Sequence, residues 1–393
     1  MKMEEKIAKG KKYIMNTYGR LPVVLEKGEG SWVYDTDGNK YLDFVAGIAV
    51  NSLGHNSEIV NKALREQSEK LIHCSNLYWI EPQIDLAELL CMASGMDKAF
   101  FCNSGAEANE GAIKLARKWG NGRYEIISAI QSFHGRTMGA LAATGQEKYQ
   151  KSFIPVLTGF KYAVFNDLES IQAQISEKTC AIMLEPIQGE GGINEPSEDF
   201  FKGVKDLCKK HNLLLIIDEV QTGVGRTGKA FGFQNYDFQP DIITLAKGLG
   251  GGVPIGAMLA KDEVAEIFQP GDHASTFGGN PLVTNVALNV CQVIFCEDFL
   301  REVQEKGQYM REQLGKLKEQ FLFPGKVKGK GLMVGLDYPK DAGEIVSKML
   351  EKNILINAIG GKTLRFVPPL NVKYEEIDIV IKALEEVFKE VSA

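Results

Sequence analysis

A chain of 393 residues with 44% hydrophobic side chains can bury a large core and has room for two domains. Its net charge of −6 is spread over mixed acids and bases, and no basic block points to nucleic acid or an anionic membrane. No apolar run reaches the roughly 18 residues of a membrane span, the start Met1-Lys2-Met3-Glu4-Glu5-Lys6 lacks a signal-peptide core, and the 7 cysteines include no Cys-x-x-Cys pair. Neither a disulfide framework nor a metal site is expected, and the expected compartment is a reduced cytoplasm.

In chain order, residues 6–18 read as a weakly helical start. Residues 30–44 read as a hairpin, with aromatic and β-branched residues around Asp37-Gly38. His55 has no partner set near it in sequence, so a structural or loop role leads. Residues 61–71 form an amphipathic helix, 76–79 an aromatic loop, and 82–92 a helix with Pro82 in its first turn.

Residues 98–102 read as a short strand. Asn103-Ser104-Gly105-Ala106 follows, then a helix over 107–119. Ser or Asn can cap that helix, and glycine lets the backbone approach an anion. Free N–H groups at a helix start make a phosphate site. Many α/β turns share this form, so the turn does not decide the matter alone.

The next strand, 124–128, leads to Ser132-Phe133-His134-Gly135-Arg136-Thr137. Phe133 could stack on a ring and Arg136 could clamp a carboxylate. A core Phe and a surface Arg are the plain alternatives. Strand 181–186 carries Glu185 and leads to the loop Gln188-Gly189-Glu190-Gly191-Gly192. Alternating strands and helices predict a mostly parallel sheet.

Two buried strands end in reactive groups. Residues 211–220 finish in Asp218-Glu219, and residues 240–247 finish in Lys247 ahead of a glycine run. Ligands of α/β enzymes sit outside the carboxyl ends of such strands. Desolvation there lowers a lysine pKa and makes the amine a nucleophile for carbonyls. A surface lysine and a turn-capping Asp are the alternatives. The two strands together favour pyridoxal phosphate (PLP): the lysine holds the aldehyde, and the acid keeps the pyridine nitrogen protonated.

Gly223-Val224-Gly225-Arg226-Thr227-Gly228 fits the dinucleotide pattern, but Lys229-Ala230-Phe231-Gly232-Phe233 is no helix start, which argues against a NAD site. The polar loop 273–281 precedes a helix over 282–295, and its hydroxyls could reach a phosphate. Beyond 299 come a charged helix to 320, a strand 331–336, a helix 341–352, strands 354–357 and 363–367, and a last helix 374–391. This reads as a compact α+β domain. Arg365 lies on a strand ending in Pro368-Pro369. A surface position leads there, with a second carboxylate receptor as the alternative.

Taken jointly, the chain resembles the class III (ω-amino) aminotransferases over essentially its whole length. The resemblance rests on Asn103-Ser104-Gly105-Ala106-Glu107-Ala108, Phe133-His134-Gly135-Arg136-Thr137, Glu185-Pro186-Ile187-Gln188-Gly189-Glu190, Asp218-Glu219-Val220-Gln221-Thr222-Gly223, Ala246-Lys247 and Ser275-Thr276-Phe277-Gly278-Gly279-Asn280-Pro281. It implies an α/β protein, a fold-type I PLP-dependent transferase. A large domain with a mainly parallel sheet would span 61–298, and a small α+β domain 299–393. Residues 1–60 would contribute to the small domain. It also implies a homodimer with active sites at the interface.

The same resemblance implies the roles. Lys247 carries the cofactor and Asp218 pairs with its ring nitrogen. Phe133 and Val220 cover the two ring faces, and Gln221 lies near the ring hydroxyl. Gly105 and Ala106 bind the phosphate, joined by Thr276 from the neighbouring subunit. Arg136 receives a substrate carboxylate, and Ser275 and Tyr18 lie with the substrate. Arg365 binds the α-carboxylate of glutamate and is covered by Glu190 when the ω-amino donor is present. Lys247, once freed, moves the proton as general base, and the two substrates alternate in ping-pong order. Ile48 stands where relatives acting on free ornithine carry tyrosine. The runs Ser75-Asn76-Leu77-Tyr78 and Gly139-Ala140-Leu141-Ala142-Ala143-Thr144-Gly145-Gln146 resemble the branch acting on N2-acetyl-L-ornithine, which is the expected donor, with 2-oxoglutarate as acceptor, in arginine biosynthesis. 4-Aminobutyrate, other ω-amino acids and N-succinyl-diaminopimelate are the alternative donors. An amino-aldehyde mutase and a non-catalytic PLP-binding regulator are more distant readings.

Overall fold

A computed structural model describes residues 2–392. The first helix, Met3–Tyr13, buries none of its side chains. Strands β1 (Leu25–Glu29), β2 (Trp32–Asp35) and β3 (Lys40–Asp43) form an antiparallel ribbon. The Asp35 carboxylate pins the β2–β3 turn by accepting from the Asp37 and Asn39 N–H groups, each at 2.9 Å. The predicted hairpin is thus β2–β3, and β1 is an addition to it.

The site rests on a 7-stranded sheet. Its members are β4 (Lys98–Cys102), β5 (Glu125–Ala129), β6 (Phe160–Ala163), β7 (Thr179–Leu184), β8 (Leu214–Asp218), β9 (Ile242–Leu245) and β10 (Gly256–Ala260). They run in the order β4-β10-β9-β8-β7-β5-β6. All pair in parallel except β10, which is antiparallel to both β4 and β9. Every residue of β7, β8 and β9 is buried. Strands covered on both faces are apolar throughout, which is why these runs stand out in the sequence. The sequence reading missed β6 and β10. β10 is Gly-Ala-Met-Leu-Ala, without a β-branched residue, and β6 carries Lys161 on the sheet edge.

The C-terminal part adds a 4-stranded antiparallel sheet. It contains β11 (Val327–Lys330), β12 (Met333–Asp337), β14 (Asn357–Ile359) and β15 (Thr363–Phe366). Helices Glu297–Gln320 and Ala342–Glu351 pack against it, and Tyr374–Ser392 packs against those two helices. The remaining strand, β13 (Ile354–Leu355), leaves this sheet and pairs in parallel with β3. One apolar core runs through all of this, from Leu42 through Leu215 and Ile217 to Leu336, Phe366 and Phe388. Among the described residues no single helix is long and apolar enough to cross a membrane. The chain is α/β, with a mainly parallel sheet and a smaller α+β layer.

Candidate active site

The carboxyl ends of the parallel strands open into a cavity of about 440 Å³. β4, β5, β7, β8 and β9 each deliver one part of its wall.

β4 delivers the anion end. Ser104 caps the helix Gly105–Trp119, its Oγ accepting from the Glu107 N–H at 3.2 Å. Gly105 opens that helix against Val220. A Cβ at Gly105 would lie 2.7 Å from Val220 Cγ1, so no larger residue fits without displacing that side chain. The result is a helix start, with unpaired N–H groups and a positive dipole end, on the cavity wall.

β5 leads to Phe133, which is half-buried, and to Arg136, which is exposed. The Arg136 guanidinium lies 3.9 Å from the Tyr149 ring centre and 5.4 Å from that of Phe133. Such a stack orients an exposed cation without neutralising it. Arg136 is therefore a surface residue held in place, and Tyr149 holds it.

β7 leads to Glu185, whose carboxyl accepts from the Phe133 N–H at 3.3 Å and the Gly189 N–H at 3.2 Å. Burial, with the Asp218 charge beside it, pushes Glu185 well above the usual carboxylate range.

β8 ends in Asp218. Its Oδ2 accepts from Asn109 Nδ2 at 2.8 Å and from His134 Nδ1 at 2.7 Å, and its Oδ1 from the Val220 N–H at 2.9 Å. Asn109 is itself fixed by Thr244 Oγ1, which donates to its Oδ1 at 2.7 Å. Three segments thus hold one carboxylate, and a fourth holds Asn109. Glu219 turns away from the cavity. It accepts from Thr222 Oγ1 and from the Gly232 and Phe233 N–H groups, and burial pushes it up to about 7. The neighbouring acids divide between site and scaffold.

β9 ends beside Lys247, which adopts φ +44° and opens a short 3-10 turn. A left-handed lysine is strained, and such backbone strain persists where the surroundings impose it. Part of its surface meets the cavity, yet protein packs around it closely enough that desolvation pushes the amine down to about 8.

Arg365 comes from β15. It is 1% exposed, so the surface reading of this residue is corrected. Every residue of this antiparallel strand is buried, so both of its faces are covered, which a lone charge in a strand did not reveal. Its Nη1 donates to Glu190 Oε1, to Gln221 Oε1 at 3.3 Å and to the Gly189 carbonyl at 3.4 Å. Its Nε donates to Asn357 Oδ1 at 3.2 Å. Burial alone would raise the Glu190 carboxyl, but the Arg365 and Lys247 charges outweigh it and hold Glu190 below its ordinary value.

Gly105, Ala106, Phe133, Arg136, Glu190, Asp218, Val220, Gln221 and Lys247 therefore meet at one cavity, and Arg365 joins through Glu190 and Gln221. Three expected residues lie elsewhere. Ser275 is one bond from the cavity wall, its Oγ accepting from Asn103 Nδ2 at 3.1 Å. Thr276 is exposed beside Phe277. Tyr18 is 71% exposed and lines a separate hollow next to the first helix. Ile48 also misses the cavity, and Val50 lines it instead. His55 bonds to Asp43 at 2.8 Å, a structural contact. The segment 223–228 opens no α-helix: turns run on to the 3-10 turn Gly232–Asn235. Sequence reasoning missed His134, Asn109, Glu185 and Tyr149 as site residues. His134 and Glu185 carried a signal, since one sits inside a quoted motif and the other at a strand end. Asn109, one turn into a helix, carried none.

Comparison with known proteins agrees with this geometry. Residues 13–388 match the family model for aminotransferase class-III. The acetylornithine aminotransferase of Caldanaerobacter subterraneus subsp. tengcongensis is 55% identical over 387 residues, covering 97% of this chain and 98% of that protein. That of Methanocaldococcus jannaschii is 52% identical over 398 residues, covering 100% of both. Among solved structures, ornithine aminotransferase from Toxoplasma gondii superposes with a TM-score of 0.96 at 32% identity, covering 100% of this chain and 96% of that one. N-acetylornithine aminotransferase from Stenotrophomonas maltophilia does so with a TM-score of 0.84 at 38% identity, covering 98% and 99%. The match to the family model and to these structures settles the family, and the chain belongs to the class-III aminotransferases, PLP-dependent enzymes of fold type I.

Proposed function

We propose that this chain transfers the terminal amino group of N2-acetyl-L-ornithine to 2-oxoglutarate, giving N-acetyl-L-glutamate 5-semialdehyde and L-glutamate, in arginine biosynthesis. The observation that carries the reading is Arg365 buried against Glu190 at the edge of a cavity that holds Lys247. One site must accept a donor and an acceptor of different charge. Glu190 neutralises Arg365 when no carboxylate is present, and an incoming α-carboxylate takes its place. An unpaired buried guanidinium would be costly. The relatives named acetylornithine aminotransferase supply the donor.

The residues present fit PLP. The tight helix start at Gly105 and Ala106 suits its phosphate, Asp218 its ring nitrogen, and Phe133 and Val220 its two faces. Gln221 stands where its hydroxyl would lie, and Lys247 takes its aldehyde. When bound, the cofactor supplies an electron sink for the bond broken at the amino carbon. His134 and Asn109 keep the Asp218 carboxylate aimed. Lys247, neutral above about pH 8, carries a proton to and from that carbon. Arg136, held over Tyr149, receives the donor carboxylate. Ser275, one hydrogen bond from the wall, supports the substrate side, whereas Tyr18 in its separate hollow does not reach it within one chain. We assign 61–298 to a cofactor-binding domain and 299–393, with 1–60, to a small one.

The reading includes a homodimer. Leu77, Tyr78 and Trp79 are exposed, as is Phe277. Asn76 donates to the Gly278 carbonyl at 2.9 Å, and the His73 and Phe277 rings lie 5.4 Å apart, so this is one patch. Contiguous exposed apolar surface marks an interface. The family resemblance would then place Thr276 of the partner subunit at the phosphate end of this cavity.

Two measurements follow. Added separately to the loaded enzyme, N2-acetyl-L-ornithine is expected to bleach the visible cofactor band at least about tenfold faster than ornithine or 4-aminobutyrate. 2-Oxoglutarate should then restore it. A faster reaction with 4-aminobutyrate would keep the chemistry and remove the donor. Loading of the cofactor-free protein with PLP should also depend on pH. Only the neutral amine attacks, so the rate should rise about tenfold per pH unit and then level off. The depressed Lys247 pKa places that plateau above about 8. A rate still climbing towards 10.5, the ordinary lysine value, would show that the amine is not depressed.

A further inference from the structure

The glycine-rich turn after β8 takes no part in the cavity, yet its arginine is among the most completely buried large side chains of the protein. Arg226 is 1% exposed. Burial alone pushes its guanidinium down to about 9, with no acid offsetting the cost. Its Nε and Nη2 make no hydrogen bond among the described residues. A cation buried without a counter-charge is expensive, and its remaining contacts show what it does there.

Those contacts join two parts of the chain. Arg226 Nη1 donates to the Leu332 carbonyl at 2.9 Å and to the Pro368 carbonyl at 2.6 Å. The Leu332 N–H donates back to the Arg226 carbonyl at 3.0 Å. Leu332 lies between β11 and β12. Pro368 lies just past β15, the strand that carries Arg365. The other end of the turn is tied to the site as well, since the Gly223 N–H donates to the Glu219 carbonyl at 2.9 Å, next to Asp218. Backbones meet closely here. Gly331 has φ +52°, and a Cβ on it would lie 2.6 Å from the Arg226 carbonyl oxygen and 2.5 Å from Thr227 C.

We propose that Arg226 is a positioning residue that fastens the end of β15 to the turn after β8, and so sets the reach between Arg365 and Lys247 that the dicarboxylate acceptor requires. This rests on the reading of Arg365 as receptor for the acceptor's carboxylate. The donor half of the reaction leaves Arg365 paired with Glu190, so it does not depend on that reach. A loosened seat should therefore separate the two halves, which a general loss of folding would not do.

The test uses Arg226→Lys, which keeps the charge but replaces the rigid fork with a flexible ammonium, and Gly331→Ala, which wedges the same seat from the other side. In the loaded enzyme, the KM for 2-oxoglutarate and the calorimetric Kd for glutarate, an unreactive dicarboxylate, should each rise about tenfold or more. kcat/KM for the donor half-reaction should change less than about twofold. Equal losses in both halves, or no change in either acceptor constant, would overturn the proposal. So would two variants too unstable to purify, because the role would then be inseparable from folding. Arg365→Gln is the control. If it raises both acceptor constants while the seat variants leave them alone, only the role of Arg226 falls. If Arg365→Gln itself leaves them alone, the receptor reading falls and takes this proposal with it.

Discussion

Replacing Lys247 by alanine is expected to lower transamination by about ten-thousandfold and to move the absorption band of the bound cofactor to that of its free aldehyde. The amine stands just past β9 at the cavity, in a backbone conformation that an L-residue adopts only under constraint. Desolvation brings its pKa down to about 8, so a useful fraction is neutral near physiological pH. Among the described residues no other lysine lines the cavity. Alanine removes both the attachment point and the proton carrier while leaving Asp218 and the glycine turn in place. The variant should still bind PLP, without a covalent bond. Small primary amines added from solution should return part of the activity, since they can enter the space the side chain leaves. Turnover within tenfold of the parent enzyme would remove Lys247 from the mechanism.

Asp218→Asn should cost about a thousandfold in turnover with little change in shape. The carboxylate accepts from Asn109, His134 and the Val220 N–H. An amide turns one acceptor into a donor and sets it against one of these. It also removes the negative charge that stabilises a protonated ring nitrogen. The measurement is kcat for each half-reaction, together with the position of the cofactor band. Loss in both halves is expected, because both need the electron sink. A loss confined to one half would mean that Asp218 acts on a substrate instead.

Much of this arrangement was legible in the residues because buried parallel strands are apolar along their whole length. β4 falls where the sequence put it, and β8 and β9 lie inside their predicted runs with Asp218 and Lys247 at their ends. β10 was illegible although it is as buried as β8 and β9: it has no β-branched residue and follows glycines, so nothing marks it as a strand. Arg365 shows a second limit. The sequence places it on a strand, but the face it presents depends on which sheet that strand joins. His134 and Asn109 show a third, since their value lies in reaching a residue that is distant in the chain. Tyr18 and Thr276 were assigned by likeness, and one chain does not bring them to its own cavity.

β10 also governs when the site can come into being. Gly256 pairs with Cys102 and Leu245 with Ala257, so this one strand joins the segment carrying the glycine turn to the segment carrying the lysine. A growing chain that has reached only residue 255 already contains Ser104, Asp218 and Lys247, yet β4 has no neighbour. Its exposed edge invites pairing with other chains, and contacts so distant in sequence form slowly. The two halves of the site are therefore joined only once β10 has been made and paired. A nascent chain that stalls before β10 is a species that chaperones must shield.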